Sequence, residues 1–178
     1  AIGEDVTELA VGDRAMLLSR DNWVQQQTIP VAQAVRFPEE LDILQAAQIK
    51  ANPPSAMLML RDYEDLNEGD WVIQNAANSA VGLHLIRLAR ARGIKTVNVV
   101  RREELFQPLM EHGADLVVME GHDLGERVRA EIGDACLPLA IDAVGGSSCQ
   151  HLADCVSDGG TVVNYGFLSC EPGMLTRS

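Results

Sequence analysis

The sequence predicts an α/β protein built on a doubly wound parallel sheet, and three observations carry that expectation. From Asp70 onward, short β-branched runs alternate with amphipathic stretches of helical period. Only a few residues separate each run from the next helix, as in βαβ units. Small or polar residues collect where the runs end, at Asn75 to Ala80, Arg101 and Arg102, Val144 to Gly146, and Tyr165 to Leu168. In open parallel sheets, ligands sit at those carboxyl ends.

The first part of the chain reads differently. Ala1 to Leu18 suggests a strand, a turn at Val11-Gly12-Asp13 and a second strand from Arg14. Ser19 to Gln27 is polar around a lone Trp23 and reads as a loop, and Ile29 to Phe37 alternates as a further strand. So few strands cannot bury both faces of a sheet, so this segment reads as the end of a β-rich domain. Pro38-Glu39-Glu40 is expected to open a short helix through about Lys50, with proline first and acids in the first turn. Asn52-Pro53-Pro54-Ser55 is expected to break it. A second helix follows from Ala56 to Leu66, with Met57 and Met59 as core filler.

Residues 70 to 102 form the organising unit. Trp71 to Gln74 is a strand after the turn at Asn67 to Asp70, and Asn75 to Ser79 is a patch of small and amide residues. Ala80 to Arg92 has helical period, with Val81, Leu85, Leu88 and Ala89 on one face, and Gly93 stops it. Thr96 to Val100 is a second strand ending in Arg101-Arg102. A turn of small residues leading into a helix aims free amides and the positive end of the helix dipole at one spot, where a pyrophosphate fits. Asn78 and Ser79 suit the N-cap and can also donate to an anion. The dinucleotide spacing G-x-G-x-x-G is kept at Ala77, Ser79 and Gly82, although only Gly82 is glycine. The alternative is a helix start that binds nothing. An acid after the second strand would suit NAD, whereas Arg101 and Arg102 favour the 2′-phosphate of NADPH.

Beyond Arg102 the alternation continues. Leu105 to His112 is helical and stopped by Gly113, and Asp115 to Met119 is a buried strand of parallel type. Asp123 to Ile132 is a helix and Leu137 to Ile141 a strand, ending Asp142-Ala143-Val144-Gly145-Gly146. Ser147-Ser148 is expected to cap a helix through Val156, before a last strand at Thr161 to Asn164. Five strands are expected, with no residues left for a sixth.

The chain has 178 residues, 47% of them apolar and 22% charged, enough to bury a core. Its net charge of −12 repels phosphate backbones, so nucleic acid and anionic membrane surfaces are poor partners. An anionic cofactor then needs a local positive pocket. Cys136, Cys149, Cys155 and Cys170 form no C-x-x-C pair and read as reduced thiols. Cys149, His151 and Cys155 read as idle side chains rather than a metal cluster, so no metal is expected. With no apolar run of about 18 residues and no signal peptide, the expectation is a soluble protein that is not exported.

Several stretches resemble the zinc-free, quinone-reductase-like branch of the medium-chain dehydrogenase/reductases, and within it the mitochondrial-type 2-enoyl thioester reductases. They are NPPSA at 52 to 56, GDWVIQNAANSAVG at 69 to 82, TVNVVRRE at 96 to 103, AVGG at 143 to 146 and GGTVVNYG at 159 to 166. The resemblance implies a Rossmann domain at 70–178 lacking its last strand, connecting helices at 39–69, and at 1–38 a remnant of a β-rich, GroES-like catalytic domain. It implies that Asn52, Asn78, Ser79, Ala80 and Val81 contact NADPH. Arg101, Arg102 and Glu103 would lie at the 2′-phosphate, and Tyr165, Gly166, Phe167 and Leu168 near the nicotinamide. The family carries glycine where this chain has Ala80 and Phe167. A methyl at Ala80 is expected to crowd the pyrophosphate if that residue needs a positive φ, and Phe167 to narrow the nicotinamide end.

The implied chemistry is hydride transfer to the β-carbon of an α,β-unsaturated acyl thioester, with protonation at the α-carbon. Tyr63 and Tyr165 do not match the family's proton-donating tyrosine, so no catalytic residue is assigned. The chain by itself is expected to bind NADPH with little or no turnover. Quinone or small-enone reduction is one alternative and a non-catalytic NADPH-binding module another, while Arg101 argues against a methyltransferase. The resemblance also implies a homodimer formed through a C-terminal part, and a cytoplasmic location, or the mitochondrial matrix in a eukaryote.

Overall fold

The computed structural model describes residues 1–176, which fall into two compact units, 1–54 and 55–176. In the first unit, β1 (Ala15–Leu17) pairs antiparallel with β2 (Ala34–Arg36), Met16 facing Val35. Arg36 Nε reaches Asp13 Oδ2 at 3.1 Å. The strand expected before Val11 does not form. Its backbone is satisfied locally instead, Val6 N–H by the Gly3 carbonyl and Ala10 N–H by the Asp13 carboxylate. Short polar side chains offer the backbone such alternatives to a ladder. Likewise only the last part of the alternating stretch is strand, because a 3-10 turn occupies Val31–Gln33.

Helix α1 (Ile43–Ile49) starts later than the sequence suggests. Asp42 caps it, accepting from the amides of Leu44 and Gln45, while Pro38 to Leu41 closes a separate turn. A carboxylate that satisfies two orphan amides outcompetes a proline start. Helix α2 (Asn52–Asp62) begins at the residues expected to break it. Pro53 and Pro54 fill its first turn, where a missing N–H removes no helical bond. The face α2 buries is Ala56, Met59 and Leu60, at helical spacing, and Met57 is exposed rather than core filler.

The second unit is a five-stranded parallel sheet. Its strands are β3 (Trp71–Gln74), β4 (Lys95–Val100), β5 (Leu116–Met119), β6 (Leu139–Asp142) and β7 (Thr161–Asn164), in the order β5-β4-β3-β6-β7. Strand order reverses between β3 and β6, which places a crevice at their carboxyl ends. Helices α3 (Ala80–Ala91), α4 (Phe106–His112), α5 (Leu124–Ile132) and α6 (Gly146–Ala153) cover the two faces.

Neighbouring strand residues point to opposite layers, as the period of two requires. Val72, Leu139 and Ile141 pack with Leu85 and Ala89 of α3 and Leu60 of α2. Ile73, Val97, Val99 and Ala140 pack with Leu124 and Val128 of α5 and Leu152 of α6. Burial on both faces, at Val117 and Val118, explains why β5 reads as a continuous apolar run. The helix expected to be capped by Ser147-Ser148 instead follows Gly145, at φ +78°, and ends at Ala153. Two left-handed glycines, Gly145 and Gly146, make the turn, so Ser148 enters the helix body and is buried.

Candidate cofactor site

The site begins in the turn from β3 to α3. Ala76 takes a left-handed φ of +45°, and Ser79 caps α3, its Oγ accepting from the Gly82 amide at 3.1 Å. A Cβ at Gly82 would collide with the Ala77 carbonyl, so this one glycine of the spacing is required by close approach. Beneath the turn, Gln74 Nε2 donates to the Gly82 carbonyl at 3.1 Å and to Asn98 Oδ1 at 2.8 Å. That fixes the first turn of α3 over β3 and β4. The amides of Ala80 and Val81 meet no acceptor among the described residues. They open the helix and stand at the positive end of its dipole, a combination suited to an anion. Ala80 is the first helical residue and does not need a positive φ, so the expected crowding by its methyl loses its cause.

A cleft of about 390 Å³ runs along the carboxyl ends of the strands. Asn78, Ser79 and Arg101 line one side, and Val144, Gly145, Gly146, Ser148, Leu168 and Glu171 another. A second recess adjoins it, lined by Asn78, Arg101, Arg102 and Leu105. Arg101 borders both and forms no ion pair among the described residues, whereas Arg102 Nε lies 3.4 Å from Glu104.

The other end of the cleft rests on Asp142, a residue the sequence pattern assigned no role. It closes β6 with no exposed surface. Its carboxylate accepts from Asn75 Nδ2 at 2.6 Å, Val144 N at 2.9 Å, Gly145 N at 3.0 Å and Asn164 Nδ2 at 2.7 Å. Burial works to raise its pKa. The Gly145 amide, the two Asn side chains and the Val144 amide outweigh it and hold the carboxyl below its ordinary value. Asn75 also donates to Ser148 Oγ at 2.9 Å, Ser148 donates to Glu120 Oε2, and Glu120 Oε1 meets His151 Nδ1 at 2.7 Å. A polar residue ending a wholly apolar strand was the available signal.

The expected site residues divide by place. Asn78, Ser79, Arg101 and Leu168 line the cleft, and Arg102 lines the adjoining recess. Ala80 and Val81 open α3, and Glu103 opens the exposed 3-10 turn after β4. Gly166 packs against the Ala143 carbonyl, and Phe167 is exposed. The Tyr165 phenol is pushed up by burial, with the Ser79 hydroxyl acting the other way and Asp142 adding to the rise. Asn52 opens α2 in the first unit. Burial, joined by Asp142, pushes the Cys149 thiol up to about 11, and burial pushes Cys155 up to about 12. Both stay protonated near neutrality.

The profile of the family described as zinc-binding dehydrogenase matches residues 80–176. A zinc ion finds no donor set among the described residues. No group of three His, Cys, Asp or Glu converges, and His151 is engaged with Glu120. Nor is any helix among them long and apolar enough to cross a membrane.

The mitochondrial enoyl-[acyl-carrier-protein] reductase of Dictyostelium discoideum is 42% identical over 165 residues, covering 90% of this chain and 45% of the relative. The chain thus spans about half the length of the curated relatives it matches. A solved complex of Etr1p with NADP and crotonyl-CoA superposes with a TM-score of 0.76 at 28% identity, over 81% of this chain and 46% of that one. The Etr1p/Etr2p heterodimer of mitochondrial 2-enoyl thioester reductase from Candida tropicalis gives 0.84 at 25% identity, over 99% and 55%. The expected resemblance to enoyl thioester reductases is therefore met. Matched from the first residue of α3 to beyond the end of β7, the chain belongs to the zinc-binding dehydrogenase family.

Proposed function

We propose that the chain is the NADP-binding portion of a reductase that delivers hydride to the β-carbon of a 2-enoyl thioester. One observation carries this reading: a cleft and the recess beside it, which share Asn78 and Arg101, join the start of α3 to the arginines that follow β4. The Ala80 and Val81 amides with Ser79 suit a pyrophosphate. Arg101 and Arg102 suit a 2′-phosphate, for which a planar guanidinium is the fitting donor. With the adenosine half beside β4, the nicotinamide half would lie over β6 and β7, near Tyr165 to Leu168. NADPH, when bound, supplies the hydride, and the chain's own residues hold and orient it. Asn52, Glu103 and Phe167 belong to the same proposal as contacts of the cofactor.

The names of the relatives support an enoyl thioester over a quinone as acceptor. In the whole protein, NADPH oxidation running faster with a quinone than with crotonyl-CoA would favour the alternative. We further propose residues 1–38 as part of a catalytic domain, 39–69 as connecting helices and 70–178 as the cofactor domain. Pairing with a second copy, measurable by light scattering, and residence in the mitochondrial matrix, measurable by fractionation, belong to the same proposal; the Etr1p/Etr2p heterodimer supports pairing and the mitochondrial relatives support the compartment.

Calorimetry on this chain tests the cofactor. The expected result is NADPH binding well ahead of NADH, with the Arg101→Ala/Arg102→Ala variant losing on the order of a hundredfold for NADPH and little for NADH. A preference unmoved by that double substitution overturns the reading.

A further inference from the structure

Among the described residues, cofactor binding of this kind leaves one fully buried carboxylate unused. Asp142 sits at the end of β6, on the side of the crevice away from Arg101. Four neutral donor groups satisfy its carboxylate, and no Lys, Arg or His forms an ion pair with it among the described residues. A buried charge is normally paired with its opposite. Here the hydrogen bonds stabilise the carboxylate without cancelling its charge, so its field extends outward.

The donors show where that field points. Asn75 belongs to the loop after β3, Val144 and Gly145 to the loop after β6, and Asn164 is the last residue of β7. The Tyr165 amide bonds the Asp142 carbonyl at 2.9 Å. The carboxylate therefore sits under the loops that border the end of the cleft opposite the arginines. Its influence reaches the cleft wall through Asn75, Val144 and Gly145, which donate to the carboxylate and line the cleft. Glu171, on the loop that lines the same end, adds charge of the same sign. The cleft thus has the Arg101 guanidinium at one end and Glu171, with Asp142 beneath, at the other, while the Glu120 carboxylate that also lines it is engaged by Ser148 and His151.

A nicotinamide dinucleotide is divided in a matching way. Its adenosine half carries phosphates, while its ring is positively charged when oxidised and neutral when reduced. We propose that Asp142 is a positioning residue that acts through its charge, its buried, cation-free carboxylate favouring the oxidised nicotinamide ring over the reduced one. The cleft then holds NADP⁺ more tightly, relative to NADPH, than it would without that charge. Such a bias makes bound NADPH a stronger hydride donor, because the charge that appears on the ring meets an anion already in place. The proposal rests on the reading of this cleft as a nicotinamide dinucleotide site.

The test compares dissociation constants for NADP⁺ and NADPH, by calorimetry, in the wild-type chain and in Asp142→Asn. Asparagine keeps the shape and part of the hydrogen bonding but removes the charge. The expected result is a shift in the affinity ratio toward NADPH on the order of tenfold, with both coenzymes still bound. Equal weakening of both makes Asp142 a strut and overturns the proposal while leaving the cofactor reading intact. A wild-type chain that binds neither coenzyme removes that reading itself, and the proposal with it.

Should Asp142→Asn fail to fold, the wild-type chain decides alone. The ringless fragment 2′-phospho-ADP-ribose gives the baseline. The oxidised ring is expected to add several-fold more affinity over it than the reduced ring adds. Equal gains from the two rings overturn the proposal.

Discussion

Two buried polar clusters flank the point where strand order reverses, and they differ in kind. On the β3–β4 side, Gln74, Asn98 and Thr96 are neutral. Gln74 donates to Asn98 and to the start of α3, and Asn98 donates to Thr96 Oγ1 at 2.9 Å and to the Leu116 carbonyl at 3.1 Å. The Gln74 bonds fix a helix on its strands, and those of Asn98 tie β4 to β5. On the β6–β7 side the centre is an ion, and its donors come from the end of β7 and from two loops that border the cleft. A neutral pair such as Gln74 and Asn98 can be exchanged for apolar residues of the same shape at little cost. Removing the ion leaves several buried donors facing nothing. The first cluster supports the fold, and the second supports the fold and the site together.

The comparison breaks first at Asp142. Replacement by leucine orphans Asn75, Asn164 and the amides of Val144 and Gly145, and is expected to cost about 3–5 kcal/mol in urea denaturation. The same carboxylate sets an acid dependence. Its folded pKa lies below the unfolded value of about 3.9. Its contribution is therefore complete above that value and is lost as pH falls through the lower folded one. Wild-type stability should fall more steeply below about pH 4 than that of Asp142→Asn. Parallel acid profiles would mean that the carboxylate is no better held in the folded chain than in the unfolded one.

The neutral cluster should respond less. Asn98→Leu removes one acceptor of Gln74, which keeps the Gly82 carbonyl, and is expected to cost about 1–3 kcal/mol. Adding Gln74→Leu should recover part of that loss, since both partners are then apolar, and a double-mutant cycle measures the recovery. If the pair destabilises as much as Asp142→Leu does, the two clusters do not differ in the way argued.

The same contrast explains what the sequence disclosed. The β3–α3–β4 unit was legible because its signals are local: a helical period from Ala80, a cap at Ser79, a stop at Gly93 and arginines at the end of β4. The cluster around Asp142 joins residues far apart in the chain, Asn75 with Ser148 and Glu120 with His151. No periodicity records such contacts. Ser147-Ser148 looked like a cap because serine suits one, yet two left-handed glycines had already turned the chain. Asp42 displaced the expected start of α1, and Asp13 took up an amide that a strand near Ala10 would have needed. In each case a short polar side chain competed with the backbone pattern and won.

The smallest expected effect separates cap from site at Ser79. Ser79→Ala removes the bond from the Gly82 amide and should cost about 1 kcal/mol, a fall of about 2–4 °C in melting temperature. Aspartate is an equally good cap, so Ser79→Asp should melt close to the wild type. It also sets a negative charge beside the Ala80 and Val81 amides, where the pyrophosphate is proposed to dock. NADPH binding should therefore fall far more in Ser79→Asp than in Ser79→Ala, although Ser79→Ala is the less stable protein. Stability and affinity that rank the variants in opposite order can only come from a helix start that does two jobs. Undiminished NADPH binding by Ser79→Asp would move the pyrophosphate away from α3 and, with it, the division of the cleft between arginines and Asp142.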